Sequence, residues 1–330
     1  MQKENTPYDH ELFMQRCLDL AENGLGRVAP NPMVGAVVVH EGHIIGEGYH
    51  HRFGGPHAEV LAIEAVRNPS LLTESTLYVN LEPCAHQGKT PPCTNRIIRE
   101  RIPRVVIGTV DPHSLVAGKG IQKLRDAGVE VLVEVLTDSC LKLNRRYFTF
   151  HKKKRPYLIL KWAQTLDGFI DMEREPGTPI GINWITAEIS RTLVHRWRSE
   201  EQGILVGTKT VLYDDPKLNI RNWEGHDPVR IVLDRHLTLP SDRQVFDGTL
   251  PTLIYNSRIT KEEGLTEWVK AEFSLTDLFP VLTDLYQRNI LSVMVEGGRA
   301  LLDFFLLNDL WDEARVFTGQ KYFEDRKSVV

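Results

Sequence analysis

The chain is poor in cysteine. Four thiols in 330 residues are too few for a disulfide scaffold and suit a reducing compartment. It also lacks any run of about 18 or more apolar residues, and residues 1–10 hold no apolar signal core. A cytoplasmic protein with no membrane partner is therefore expected. The formal net charge is -4, so no basic field is available to hold nucleic acid. The one strong charge run, His151-Lys152-Lys153-Lys154-Arg155, is short. No internal repeat and no low-complexity tract occurs. A Gly-x-Gly-x-x-Gly dinucleotide fingerprint at a strand-to-helix junction is also missing. What remains is an ordinary globular composition, 42% hydrophobic and 25% charged, at a length that suits two domains of about 150 residues each.

The most informative stretch runs from Pro56 to Cys93. It opens with Pro56-His57-Ala58-Glu59 and closes with Glu82-Pro83-Cys84, eight residues, then Cys93. A neutral imidazole and two thiolates supply three zinc ligands and leave the fourth tetrahedral position for water. The metal brings that water's pKa toward neutrality. Glu59, two residues from His57, reaches the water and shuttles its proton, as in a zinc deaminase site. That generic signature has two residues between its cysteines, against eight here. A closed structural site with His86 as fourth ligand, or two plain buried thiols, are the alternatives. Glu59 favours the open, hydrolytic site.

Along the chain, Leu12, Phe13, Cys17, Leu20 and Ala21 give 8–23 a helical apolar face. Ala29-Pro30-Asn31-Pro32 is a turn feeding a strand at 34–40, with Glu41-Gly42 as hairpin and a return strand at 44–49. The helix opening at Pro56-His57 points Val60, Leu61, Ile63, Ala65 and Val66 inward. Strands follow at 76–81, 104–110 and 129–135, and helices at 93–101 and 120–127. The alternation predicts a three-layer α/β unit over residues 1–150.

These motifs carry a resemblance. Pro30-Asn31-Pro32-Met33-Val34-Gly35-Ala36, Gly48-Tyr49-His50, Pro56-His57-Ala58-Glu59 and Glu82-Pro83-Cys84 with Gly88-Lys89-Thr90-Pro91-Pro92-Cys93 resemble the bifunctional deaminase–reductases of riboflavin biosynthesis. The resemblance implies a cytidine-deaminase-like α/β/α fold. It also implies deamination of a 2,5-diaminopyrimidinone bearing a phosphoribosylamino group, with substrate contacts from Asn31, His50 and Lys89. An Asn offers a donor and an acceptor to a pyrimidine edge, and His86 loses its claim on the metal.

Lys152 to Pro156 marks a boundary, and residues 151–330 form the second expected domain. Strands are predicted at 157–162, 203–207, 229–233, 252–255 and 292–295, and helices at 187–198 and 300–307. The last strand runs through Glu296-Gly297-Gly298 into a helix N-terminus, where main-chain N–H groups meet anions. Singly, Trp184 reads as core, Arg198 as a solvated helix face and Asp214-Asp215 as turn formers. Their ordered set, from Thr165-Leu166-Asp167-Gly168 through Trp184-Ile185-Thr186 and Leu205-Val206-Gly207-Thr208 to Glu296-Gly297-Gly298, resembles the reductase half of the same family. That half is similar in fold to dihydrofolate reductase.

The resemblance implies NADPH, contacted by Ala163, Trp184, Thr210, Asp214 and the turn Gly298, Arg299, Ala300, Leu301, Leu302, Asp303 and Phe304. It implies Ile182, Arg198, Leu218, Arg221 and Glu296 on the substrate side, and a homo-oligomer formed through the reductase domain. Two arginines suit a phosphomonoester. Hydride goes to the opened ribose, giving a ribityl product. Ile182-Asn183 stands where the family usually has a Ser, and Phe169 where a charge is common. Residues 326–330 do not read as a finished strand, so a shortened C-terminus is expected. Two other readings stand beside this one: a deaminase whose second half only binds, and a nucleic-acid-binding zinc module.

Overall fold

The computed structural model describes residues 7–85, 91–113, 117–174, 178–323 and 327–329. The chain divides into two compact units between Lys152 and Lys153.

In the first unit, α1 (Pro7–Glu22) precedes the hairpin β1 (Gly35–His40) and β2 (His43–Tyr49). Next come α2 (Ala58–Glu64), β3 (Thr76–Val79), α3 (Cys93–Arg99), β4 (Arg104–Ile107), α4 (Lys119–Asp126) and β5 (Glu130–Leu132). Two helices that the sequence pattern did not predict close the unit, α5 (Thr137–Leu143) and α6 (Arg145–Lys153). The sheet order is β2-β1-β3-β4-β5. The β1 pairings are antiparallel, while β3–β4 and β4–β5 are parallel.

Period-2 alternation makes the layers. Ala36, Val38, Leu77, Val79, Val105 and Ile107 face one core with Ala62, Ile97 and Leu124 of α2, α3 and α4. Val37, Val39, Tyr78 and Val106 face the other with Phe13, Met14 and Cys17 of α1 and Cys140 of α5. The architecture is α/β/α, as expected. Two helix faces differ in detail from the sequence pattern. Leu12 is 59% exposed, its place taken by Met14 and Leu18. On α2 the buried stripe is Ala58, Glu59, Ala62 and Ile63, with Ala65 outside.

α2 sits unusually close to β2. A Cβ at Gly46 would lie 2.3 Å from the Ala62 carbonyl oxygen, and one at Gly48 2.6 Å from Leu61 Cβ. Only glycine lets the helix that carries the site approach this strand.

The second unit begins with β6 (Tyr157–Gln164), β7 (Phe169–Met172), α7 (Glu188–Glu200), β8 (Gly203–Gly207), α8 (Thr208–Asp214), β9 (Val229–Leu233) and β10 (Thr252–Asn256). Next are β11 (Lys261–Glu263), β12 (Thr266–Lys270), α9 (Phe279–Gln287), β13 (Ser292–Val295), α10 (Arg299–Leu307), β14 (Glu313–Thr318) and β15 (Lys327–Val329). Eight strands form one sheet, β11-β12-β10-β9-β8-β13-β6-β14. Every pairing in it is parallel except β11–β12.

One face packs Leu158, Leu160, Leu205, Ile231 and Val295 under α9 and α10. The other packs Ile204, Val206, Val232 and Ile254 with Val211 of α8. Tyr157, Ile159 and Met294 pack with Trp197 of α7. Strands buried on both faces explain the continuous apolar runs. β15 corrects one expectation: Lys327–Val329 pairs antiparallel with β7, because main-chain pairing needs no apolar pattern. Among the described residues, no helix is long and apolar enough to cross a membrane.

The close approach of α2 to β2 yields a test. Gly48→Ala should overpack the contact and cost about 1–3 kcal/mol. Urea unfolding of the full chain, followed by circular dichroism, measures the loss, and an unchanged midpoint would contradict the packing account.

Candidate functional site

In the first unit three elements converge. His57 is the N-cap of α2, Cys84 follows β3, and Cys93 is the first residue of α3. One ligand atom from each lies within 4.8 Å of the others. His57 Nδ1 is 3.6 Å from Cys84 Sγ and 3.3 Å from Cys93 Sγ, and the Cys93 main-chain N–H donates to Cys84 Sγ at 3.3 Å. A hydrogen bond from the His57 ring to the Cys84 sulfur pushes His57 up to about 9, against its burial. Hydrogen bonding from Cys93, aided by His57, brings Cys84 down to about 4, again against burial. A cationic imidazole held beside a thiolate is the charge pattern that a divalent cation displaces. One nitrogen and two sulfurs at this spacing fit zinc, with an open position.

Glu59 faces the cluster from the first turn of α2. Only 3% exposed, it occupies the buried stripe one turn before Ala62 and Ile63. Burial raises its pKa, which His57 partly offsets. His50 is buried at the end of β2, its ring 5.6 Å from that of His57. Its Nδ1 lies 2.9 Å from the Pro56 carbonyl oxygen and its Nε2 3.0 Å from Asn31 Nδ2. A carbonyl only accepts, so Nδ1 carries the proton and Nε2 accepts from the Asn31 amide. Burial lowers the His50 pKa, keeping the ring neutral. Among the described residues no hydrogen bond engages Asn31 Oδ1. Asn31, His50, His57 and Glu59 thus form one neighbourhood; Lys89 and His86 lie outside the described residues.

In the sequence Glu82 stands out only as part of a motif, with no role of its own. Its buried carboxylate accepts four main-chain N–H groups. Asp111 (3.3 Å) and Gly118 (2.9 Å) donate to Oε2, and Gly120 (2.8 Å) and Ile121 (3.2 Å) donate to Oε1. These ties anchor the segment that presents Cys84. A Cβ at Gly120 would lie 2.0 Å from the Pro83 carbonyl oxygen, so α4 closes directly on that segment. The adjacency Glu82-Pro83-Cys84 was the available signal. Asp111 was also missed. Burial raises it to about 6, and it accepts from the Tyr147 hydroxyl at 3.2 Å.

In the second unit a cleft of about 350 Å³ is lined by residues that include Ile182, Trp184, Asp214 and Arg221. It therefore joins residues expected on the cofactor side to residues expected on the substrate side. Arg174, not singled out from sequence, clasps this wall. It donates to Asp171 at 2.9 Å, to Asp214 at 2.8 Å and to the carbonyls of Gly181 and Tyr213. Burial lifts Asp214 to about 6 despite Arg174.

Glu296 follows β13, at the carboxyl ends of the parallel strands, where such sheets bind ligands. Arg198 grips it with two bonds of 2.8 Å, and Lys161 Nζ stands 3.7 Å away. Burial opposes ionisation of Glu296, but Arg198 and Lys161 outweigh it and hold the pKa at about 2. Arg198 Nη1 also donates to the Asn219 carbonyl at 3.1 Å. This guanidinium is committed to the protein.

The remaining expected contacts divide by burial. Ala163 lies near the end of β6, and Thr210 Oγ1 is 3.9 Å from where a Gly298 Cβ would stand. Gly298, Arg299 and Ala300 stand at the start of α10, with Arg299 and Ala300 exposed and Asp303 half-buried. Leu301, Leu302 and Phe304 are core side chains, so they offer a cofactor only main chain. Leu218 is likewise buried, at φ +50°; its turn lays Asn219–Arg221 along α7, where the Asn219 carbonyl meets His195 and Arg198. The open first turn of α10, with Gly298 exposed at its N-cap, suits a phosphate of a nicotinamide dinucleotide.

Comparisons with known proteins agree across both units. The model of the cytidine and deoxycytidylate deaminase zinc-binding region matches residues 7–109, and that of the RibD C-terminal domain matches residues 156–323. The riboflavin biosynthesis protein RibD of Aquifex aeolicus is 41% identical over 326 residues, covering 96% of this chain and 88% of that one. The same protein of Synechocystis is 42% identical over 297 residues, 88% and 79%. A solved Thermotoga maritima structure, described as a diaminohydroxyphosphoribosylaminopyrimidine deaminase/5-amino-6-(5-phosphoribosylamino)uracil reductase, superposes with a TM-score of 0.87. It is 42% identical and the match covers 98% of this chain and 90% of that one. Acinetobacter baumannii RibD superposes at 0.88, with 31% identity and the same coverage.

The Glu82 anchor generates a test. Glu82→Gln sets an amide N–H against main-chain donors, which should loosen Cys84. Zinc affinity, measured by chelator competition, should fall about 10–100-fold, as for other lost supports of a ligand. Wild-type affinity in the variant would remove Glu82 from this role.

Proposed function

The chain belongs to the RibD family, bifunctional deaminase–reductases of riboflavin biosynthesis with zinc and NADPH as cofactors, and from that premise we propose roles for its residues. Residues 1–150 deaminate 2,5-diamino-6-(5-phosphoribosylamino)pyrimidin-4(3H)-one, and residues 151–330 reduce the ribosyl chain of the deaminated product to ribityl.

In the first unit His57, Cys84 and Cys93 hold zinc, which when bound supplies a Lewis acid that makes water nucleophilic at neutral pH. The buried carboxylate of Glu59 takes the water's proton and returns it to the departing amine, so ammonia leaves as the water oxygen joins the ring carbon. Asn31 and the neutral His50 orient the pyrimidine edge, and Lys89 meets the phosphoribosyl group. Spacing supports Glu59 as the proton carrier, since it shares a helix turn with His57 yet makes no claim on the metal set.

In the second unit NADPH supplies hydride. Ala163, Trp184, Thr210, Asp214 and residues 298–304 seat the cofactor, the buried leucines and Phe304 through main chain only. Ile182, Leu218, Arg221 and Glu296 bound the substrate side. Arg198 acts through Glu296, fixing the carboxylate ionised in place. Ile182 contributes an apolar contact where a hydroxyl was expected.

The substrate is a small molecule. Homo-oligomerisation through the reductase unit is supported by β14, an edge strand of the large sheet. A cytoplasmic location is supported by four unpaired thiols.

The observation that carries the reading is the His57–Cys84–Cys93 triangle with Glu59 buried beside it. It is tested with Glu59→Gln in a coupled assay on the phosphoribosylaminopyrimidine. Ammonia release should fall by about 10²–10⁴-fold with zinc content retained, while NADPH oxidation of supplied deaminated intermediate stays at the wild-type rate. A zinc-loaded variant that still deaminates would take Glu59 out of the mechanism. Wild-type protein that neither releases ammonia nor oxidises NADPH would sink the whole assignment.

A further inference from the structure

The arginine pair expected from sequence to hold a phosphomonoester was Arg198 and Arg221, yet Arg198 has spent its fork on Glu296. A different guanidinium is placed to join Arg221. Arg191 lies on the same face of α7 as His195 and Arg198, four and seven residues before them. Its guanidinium stacks over the Trp184 ring at 4.3 Å, and Trp184 lines the cleft together with Arg221.

The lining also carries Lys217 and Asp215, the latter accepting from the Gln244 main-chain N–H; the other charges nearby are paired. Glu296 meets Arg198 and Lys161, and Asp214 and Asp171 meet Arg174. Among the described residues neither Arg191 nor Arg221 has an ion pair, and Arg221 bonds only the Asn219 side chain, at 3.0 Å. Arg191 Nε is buried with no hydrogen-bond partner, an orphan donor that costs free energy unless something accepts from it. Arg191 stands near enough to bear on Arg221, whose pKa is lowered by burial, Arg198 and Arg191 together. His195, held down to about 4 by burial and by Arg198 and Arg221, adds no charge near neutral pH. Two guanidiniums without an ion pair among the described residues, one on the cleft lining and the other stacked on the lining Trp184, suit a dianion.

We propose that Arg191, seated on Trp184, is the partner of Arg221 in a phosphomonoester-binding site of the reductase cleft. The proposal rests on the functional reading above only for which molecules bring such a group: the sugar phosphate of the substrate or the 2′-phosphate of NADPH. Trp184 holds the guanidinium plane by cation–π contact, which leaves its edge donors for phosphate oxygens.

The full chain and its Arg191→Gln and Arg191→Lys variants are titrated calorimetrically with ribose 5-phosphate against ribose, and with 2′-AMP against adenosine. Glutamine keeps a planar amide over the indole without the charge. Wild type should favour one phosphorylated probe over its unphosphorylated counterpart, and which probe it favours identifies the source. Arg191→Gln should lose about tenfold to a hundredfold of that preference, the range for a hydrogen-bonded charge, while binding ribose and adenosine as before. Arg191→Lys should recover part of it. Equal preference in wild type and Arg191→Gln overturns the site, as does absence of any preference in wild type. Equal weakening toward phosphorylated and unphosphorylated probes also overturns it, since Arg191 then only props Trp184. These titrations need no turnover, so a reductase that proved inactive would sink the functional reading and leave this site to be judged on its own.

Discussion

A buried glutamate just beyond the carboxyl end of a parallel strand organises each half of this protein. In the first unit Glu82 gathers four main-chain N–H groups from the loop and helix that follow β4. That fixes the path of Pro83 and Cys84. Among the described residues this carboxylate is met by main chain only, and it ties α4 to the Cys84 segment with no long side chain to order. The metal triangle then needs only the α2 N-terminus to be brought in, which Gly46 and Gly48 permit by leaving β2 bare.

In the second unit Glu296 is gripped by Arg198 and approached by Lys161. Two cations on one carboxylate keep it ionised and fix its orientation, a preorganised acceptor. The consequence is a division of labour among the arginines. Arg174 holds the cleft wall together and Arg198 holds Glu296. Arg191 and Arg221 form no ion pair among the described residues, which leaves them for the ligand proposed above. Three of the four lie close in sequence to cleft residues, and only their partners separate structural from ligand-facing roles.

That distinction marks how far sequence reading reached. The clustering of His57, Cys84 and Cys93 was legible because spacing and donor chemistry pick them out together, and Glu59 stood out because its position two residues from His57 serves no simple packing need. Strands such as Gly203–Gly207, Val229–Leu233 and Ser292–Val295 were legible because both of their faces are buried. α9, which opens Phe279-Pro280, and the polar strands β11 and β12 were not, since their stability comes from neighbours more than from pattern. Leu12 and Ala65 fit a helical period but fall just outside the buried stripe. The resemblance pointed to the segment 298–304, yet could not tell that Leu301, Leu302 and Phe304 turn into the core. It also could not tell that Arg198 is consumed by Glu296, for pairing across 98 residues of sequence leaves no local trace. β15 escaped because its link to β7 runs through main chain.

The central claim is that the two chemistries are separately housed, with the zinc triangle serving deamination alone. The most direct measurement is the two half-reactions on one preparation before and after zinc is stripped with a chelator, each supplied with its own substrate. Ammonia release should vanish and return on adding zinc, while NADPH oxidation with the deaminated intermediate proceeds unchanged throughout. Deamination that survives complete loss of the metal, or reduction that vanishes with it in a protein still folded, would contradict this account.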